Sequence, residues 1–219
     1  IVFGKLADMA KKLEMSAETF AVFTLAALLP WQFFANAMGE SSNSLVGSAN
    51  MISKIYFPRL IIPASAVISG AVDFAIGLVI LFGVMLWAGV SWQLHLLLLP
   101  VFFLVAFAAA FAIGLWLSSL NVKYRDVKYI VPFIAQMGQF VSPVPYPSSE
   151  VHKLGDTVFF FYSLNPMVGV IDGFRWCVLG AQFEPYWPGF WVSIGVIAVL
   201  LVSGALYFRR SEKTFADVI

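Results

Sequence analysis

The sequence predicts an all-α membrane protein. Three observations carry that expectation. Apolar runs of roughly 20 residues recur along the chain, long enough to cross a bilayer as helices. Of its 219 residues, 61% are hydrophobic and only 11% charged, where a water-soluble domain carries about a quarter. The charges gather in short islands between the runs.

The same composition excludes several functions. Thirteen Lys and Arg against twelve Asp and Glu leave the chain near neutrality, which argues against nucleic acid as a partner. A single cysteine, Cys177, rules out an internal disulfide and a cysteine-based zinc site. His95 and His152 stand far apart, so no metal-ligand spacing is present. There is no GxxxxGK[ST] phosphate loop, no defensible pair of catalytic acids and no nucleophile motif. Uphill transport by this chain would draw its energy from another chain or from an ion gradient.

In chain order, IVFGKLA begins with Ile rather than Met and reads as the tail of a span whose start is missing, without a signal-peptide pattern. A polar loop, DMAKKLEMSAE, leads to a span over 20–38, interrupted at Pro30 and Trp31; such breaks are tolerated where neighbouring helices satisfy the freed backbone. Residues 39–60 are polar, then amphipathic. Spans follow over 61–88, 94–120, 129–144 and 187–208. Between the last two, residues 141–182 mix apolar and polar stretches and make no clean span.

Orientation follows the cations. One side holds Lys54, Arg59, Lys123, Arg125, Lys128, Arg209, Arg210 and Lys213. The other holds Lys5, Lys11, Lys12, Lys153 and Arg175. The first side is expected to be cytoplasmic and to include the C-terminus. That gives five spans plus a truncated first one.

Four features stand out, each with a plain reading beside a functional one. The island NVKYRDVK sets Lys123, Arg125 and Lys128 against Asp126; it is a positive-inside anchor, or a short cytoplasmic helix presenting both signs to a protein partner. The segment SSNSLVGSANMISKIYFPRL has Asn43 or Ser44 as a helix cap and an apolar side of Leu45, Met51, Ile52 and Ile55; it is a surface helix or a coupling element. Asp73, flanked by Gly70, Ala71 and Gly77, is costly in lipid unless it meets a partner, and a helix-to-helix contact is favoured over proton transfer. In the outer segment Pro143, Pro145 and Pro147 break the helix, and Asp172 and Arg175 form an i,i+3 pair on an apolar helix. Its aromatics are either an interfacial belt or the lining of a gate.

Six stretches in this order resemble one family: SSNSLVGSANMISKIYFPRLIIP, VDFAIG, SSLNVKYRDVKYIVPF, QFVSPVPYP, SLNPMVGVIDGFRW and YFRRSEKTFADVI. Together they look like the permease subunit of ABC-2 type exporters, in the branch that moves lipid-linked polysaccharide such as O-antigen, a precursor of lipopolysaccharide, with teichoic acid permeases as relatives. The resemblance covers residues 29–219. It implies a single ABC-2 transmembrane domain over 1–219, with six spans in the full protein, an amphipathic N-terminal helix and most of the first span lying outside this chain.

The resemblance further implies a homodimer in the bacterial inner membrane. Two partner ATPases would carry ATP and magnesium, and this chain would bind no cofactor or metal. Residues 43–55 would form the coupling helix, through Asn43, Ser44, Leu45, Met51, Ile52 and Lys54. Residues 121–128 would make the second cytoplasmic contact, through Lys123, Arg125, Asp126 and Lys128. Residues 148–179 would form re-entrant gate helices, with Phe160, Tyr162, Asp172, Arg175 and Trp176 among their residues. Asp73 would remain a contact between helices. Alternatives at this stage are an ABC-2 permease for a drug or small lipid, an ATPase-independent carrier or channel, and an intramembrane enzyme.

Overall fold

A computed structural model describes residues 15–52, 54 and 58–218, and among these no strand is present. The expectation of a truncated first span falls outside them. The helices are α1 (Ala17–Gly47), α2 (Ala49–Ile52), α3 (Ile61–Trp87), α4 (Leu99–Lys123), α5 (Val127–Val141), α6 (Ser149–His152), α7 (Asp156–Tyr162), α8 (Pro166–Leu179) and α9 (Trp187–Val218). Among the described residues four helical stretches are long and apolar enough to cross a membrane: α1, α3, residues 94–123 and residues 187–213.

Helix α1 is the centre of the bundle. Ser16 caps it, its hydroxyl accepting from the Thr19 amide at 3.2 Å. It then runs without a break through Pro30, because α3, α4, α5 and α8 all pack on it and hold it straight where one backbone bond is lost. It also continues through the polar GESSNS. There Asn43 donates to the Gly39 carbonyl at 3.2 Å and Ser44 to the Ser41 carbonyl at 2.7 Å, so side chains that often end helices bond within this one.

An aromatic cluster locks four helices together. Phe33 on α1 lies 5.6 Å from Phe74 on α3 and 5.2 Å from Phe103 on α4, ring centre to ring centre. Phe74 stacks on Phe103 at 4.5 Å and meets Phe174 of α8 edge-on at 5.7 Å. Glycine permits the close approach of α3 to α1: a Cβ on Gly77 would collide with Leu29, and one on Gly70 would touch Phe33 at 3.4 Å.

A second core fixes chain direction. Leu45, Ile62, Leu115, Val122, Phe208 and Phe215 bury together, so the ends of α1, α4 and α9 and the start of α3 share one end of the bundle. Arg59 donates to the Glu212 carbonyl there. The exposed Lys54, Lys123, Arg125, Lys128, Arg209, Arg210 and Lys213 lie at or next to these termini, so this is the cation-rich end.

Two expectations change. The fifth run forms only the 15-residue α5, about 22 Å long against a hydrocarbon core of about 30 Å. It stops at Val141 because Pro143 forces Ser142 into an extended conformation (φ −82°, ψ 157°). Since α4 ends at the cation-rich end and α9 begins at the other, α5 and the extended residues after it cover the crossing between them. The second change concerns Asp73, which is exposed on the outer face of α3 rather than set in a helix contact. At 100° per residue it lies about 60° around the helix from Gly70, on the side away from buried Phe74, enough to turn it out of the seam with α1.

Candidate functional site

Helices α1 and α5 enclose a groove of about 630 Å³. From α1 it receives Gln32, Asn36, Glu40 and Asn43; from α5, Gln136 and Gln139. The α1 positions recur at i, i+4, i+8 and i+11, one stripe of a helix whose other faces are apolar. Gln32 to Asn43 spans about 16 Å, reaching toward the cation-rich end. At the opposite limit the Trp31 indole lies on Gly138, where a Cβ would come within 2.8 Å of the ring. The two helices therefore touch at Trp31 and Gly138 and part below them. Apart from Asn43, expected as a coupling residue, these polar groove residues were absent from the sequence-based expectations, although the i, i+4 spacing of polar residues within an apolar run was there to be read.

At the cation-rich end the two segments expected to act as cytoplasmic contacts meet. The Asn121 side-chain amide donates to the Ser42 carbonyl at 3.0 Å and to Asn43 Oδ1 at 3.1 Å. The surroundings are tightly packed. Ser41, Ser42, Ser118, Ser119 and Asn121 are all buried, and Ser41 Oγ, Ser42 Oγ and Asn121 Oδ1 have no hydrogen-bond partner.

The local geometry corrects three expectations. Asn43 and Ser44 do not cap a separate helix, since both lie inside α1; among the described residues the four-residue α2 follows, with Met51 exposed, and the expected Ile55 lies outside them. Leu45 is fully buried in the second core, so it cannot reach a docking partner. The charged island is not a helix either, but the turn Tyr124–Asp126 between α4 and α5. Lys123 completes α4 and Asp126 precedes α5, so each charge opposes the partial charge of its helix end. That accounts for the one acid among three cations. Lys123, Arg125, Asp126 and Lys128 are all exposed.

At the other end α7 and α8 pack as a pair bent by 100°. Asn165 makes the corner: its Oδ1 accepts from the Met167 amide at 3.0 Å and its Nδ2 donates to Ser142 Oγ at 2.8 Å. Tyr162 donates to the Tyr146 hydroxyl at 3.1 Å, and Tyr146 to the Val141 carbonyl at 3.1 Å, tying α7 to the end of α5. Phe160 is exposed, while Trp176 is half-buried against His95 and Trp187.

Asp172 and Arg175 act on each other as opposite charges, and the hydrogen bonds of Arg175 go to backbone carbonyls. Arg175, only 1% exposed, donates to the carbonyls of Val144 at 2.8 Å, Tyr146 at 3.0 Å and, at 3.5 Å, Phe23. The planar guanidinium fork suits several acceptors at once, and the proline-rich stretch supplies them because its carbonyls are in no helix. Asp172 lies in the same buried site, where the Ser148 side chain and the charge of Arg175 both favour its ionised form.

Comparison with known proteins gives a consistent result. The family described as ABC-2 type transporter matches residues 1–179. An O-antigen export system permease protein RfbA of Myxococcus xanthus is 25% identical over 202 residues, 91% of this chain and 76% of that protein. Two proteins of the same name from Klebsiella pneumoniae are 24% and 22% identical, each across 100% of this chain and 84% of their own length.

Proposed function

Because the chain belongs to the ABC-2 type transporter family, we propose that it is the membrane subunit of an ATP-driven exporter whose cargo is a lipid-linked polysaccharide of the O-antigen kind. The groove between α1 and α5 carries this reading. Its amides offer both donors and acceptors, spaced along about 16 Å, and a hydroxyl-rich polymer can exchange bonds along such a row without one deep site to hold it back. The relatives named as O-antigen export permeases support the cargo class.

In this reading the cation-rich end is cytoplasmic and the membrane is the bacterial inner membrane. Two partner ATPases hold ATP and magnesium. They dock on Lys123, Arg125, Asp126 and Lys128 and on the turn after α1 around Met51 and Lys54. Asn121 joins both contact regions to α1, so a push on either reaches the groove. A second copy of the chain packs against the exposed side of α5, where Ile130, Phe133, Met137 and Phe140 recur at helical spacing, and sets two grooves face to face. ATP binding moves the helices as rigid bodies and separates Trp31 from Gly138; α7 and α8 then part to release the glycan.

The test is a mild-detergent pull-down of the full-length protein from its own membrane, with a deletion strain scored for surface polysaccharide. An ATPase recovered at two copies per two of this chain, together with loss of polymer on deletion, supports the proposal. Transport by this chain alone in proteoliposomes would sink it.

A further inference from the structure

A separate cavity of about 220 Å³ lies beside α8, between the proline-rich stretch and residues 182–184, lined by Ser148, Asp172, Arg175, Gln182, Phe183 and Glu184 among others. It is distinct from the groove, whose lining comes entirely from α1 and α5. Its volume equals about seven waters' share of liquid, well below the roughly 300–1,000 Å³ that takes a drug-sized ligand.

The chemistry of its wall is selective. Asp172, over nine-tenths buried, gives one interaction to Ser148 and has further lone-pair positions. Each terminal nitrogen of Arg175 has a second N–H beyond the one given to a carbonyl. Glu184 is held by the Trp187 indole at 3.1 Å through one oxygen, which leaves the other. Gln182 adds an amide, and Phe183 adds an aromatic ring, itself braced on Phe23 at 5.1 Å between ring centres. Two carboxylates against one guanidinium disfavour an anion. A guanidinium in the wall disfavours a metal ion, and among the described residues no cluster of three metal-ligating side chains exists.

We propose that this cavity is a subsite for one neutral pyranose ring. The carboxylates accept from paired hydroxyls, the spare N–H groups of Arg175 donate to a ring or hydroxyl oxygen, and Phe183 offers an apolar face to the C–H side of the sugar. The proposal rests on the polysaccharide reading above, and it places a contact for an emerging sugar beside α8, where Arg175 holds the proline-rich stretch. Because Arg175 also holds Val144 and Tyr146, an occupied cavity bears directly on the link between α8 and α5.

The experiment uses the full-length protein in nanodiscs and saturation-transfer NMR with methyl α-glycosides of glucose, galactose, mannose and rhamnose. Saturable transfer to at least one of the four in the millimolar range is expected. The doubly substituted Gln182→Ala, Glu184→Gln protein, altered at two exposed positions, should bind that glycoside at least fivefold more weakly, while Asp73→Asn on the outer face of α3 leaves the affinity unchanged. No saturable transfer from any of the four overturns the proposal, as does equal affinity in the double variant. Preferential binding of methyl glucuronide or glycerol phosphate overturns the neutral class. Polysaccharide export is scored separately in cells: export without glycoside binding removes the subsite and leaves the transport function, whereas glycoside binding without export does the reverse.

Discussion

Arg175 lies 3.7 Å above the centre of the Phe23 ring, joining residues 152 positions apart. The contact is a cation–π interaction in a site closed to solvent, where such pairs are strong. Because the same guanidinium also holds two carbonyls of the proline-rich stretch, it connects α1, α8 and the end of α5 at one point. Three elements are thus pinned by one side chain.

Replacing Arg175 should therefore destabilise the protein more than any exposed arginine would. Arg175→Lys keeps the charge and some donors but not the planar fork, and Arg175→Met keeps neither, leaving the carbonyls of Val144 and Tyr146 without this donor. A loss on the order of 3 kcal/mol is expected for Arg175→Met. Thermal unfolding in detergent reads it, and a melting curve matching wild type would contradict the assigned contacts.

In the groove, substitution should act on transport and not on folding. Asn36→Leu or Gln136→Leu removes a donor–acceptor pair from an exposed wall. At least a fivefold fall in surface polysaccharide at unchanged protein level is expected. Equal polymer in both variants would remove the groove from the path.

Gly138→Val forces a branched side chain against the Trp31 indole. Overpacking of this kind costs about 1–3 kcal/mol, and here it pushes α5 from α1 at the point where the groove closes. The expected signature is greater accessibility of a cysteine placed at Gln32 to a membrane-impermeant thiol reagent added from outside. Unchanged labelling would mean that Trp31 does not seal the groove.

Lys123, Arg125 and Lys128 changed together to Ala should reduce recovery of the ATPase in a pull-down by several fold, with a stronger effect at low salt because exposed charges are screened. Undiminished recovery would confine these cations to holding the turn on its side of the membrane.

The seam between α1 and α3 offers an internal contrast. Gly77→Val must displace Leu29 and should lower the melting temperature. Asp73→Asn, on the outer face of the same helix, should leave it unchanged. The opposite ranking would restore Asp73 as the helix contact.

Much of this architecture was legible in the sequence. Four apolar runs became four long helices, and the cations marked one end of the bundle because loops at that end carry them. The prolines after Val141 correctly announced the broken outer segment. Other features were hidden for physical reasons. Asn43 and Ser44 have the same polar groups whether they cap a helix or bond to carbonyls inside it, and burial of Leu45 decided the matter. Arg175 finds backbone acceptors far along the chain, and no residue pattern encodes a free carbonyl. The groove was visible in principle as Gln32, Asn36 and Glu40 at four-residue intervals, but hydropathy summed along the run averages such a stripe away.

The shortness of α5 has a consequence for the lipid around it. A helix about 22 Å long beside neighbours of 25 to 32 residues cannot match one uniform hydrocarbon thickness. Before a second copy covers α5, the bilayer beside it dimples, at a cost of fractions of a kcal/mol for each ångström of mismatch. Such a dimple brings headgroups from the two leaflets closer together on one flank of the protein. Acyl-chain length thereby becomes a control variable: the barrier to moving a headgroup across that flank falls in thin bilayers and rises in thick ones.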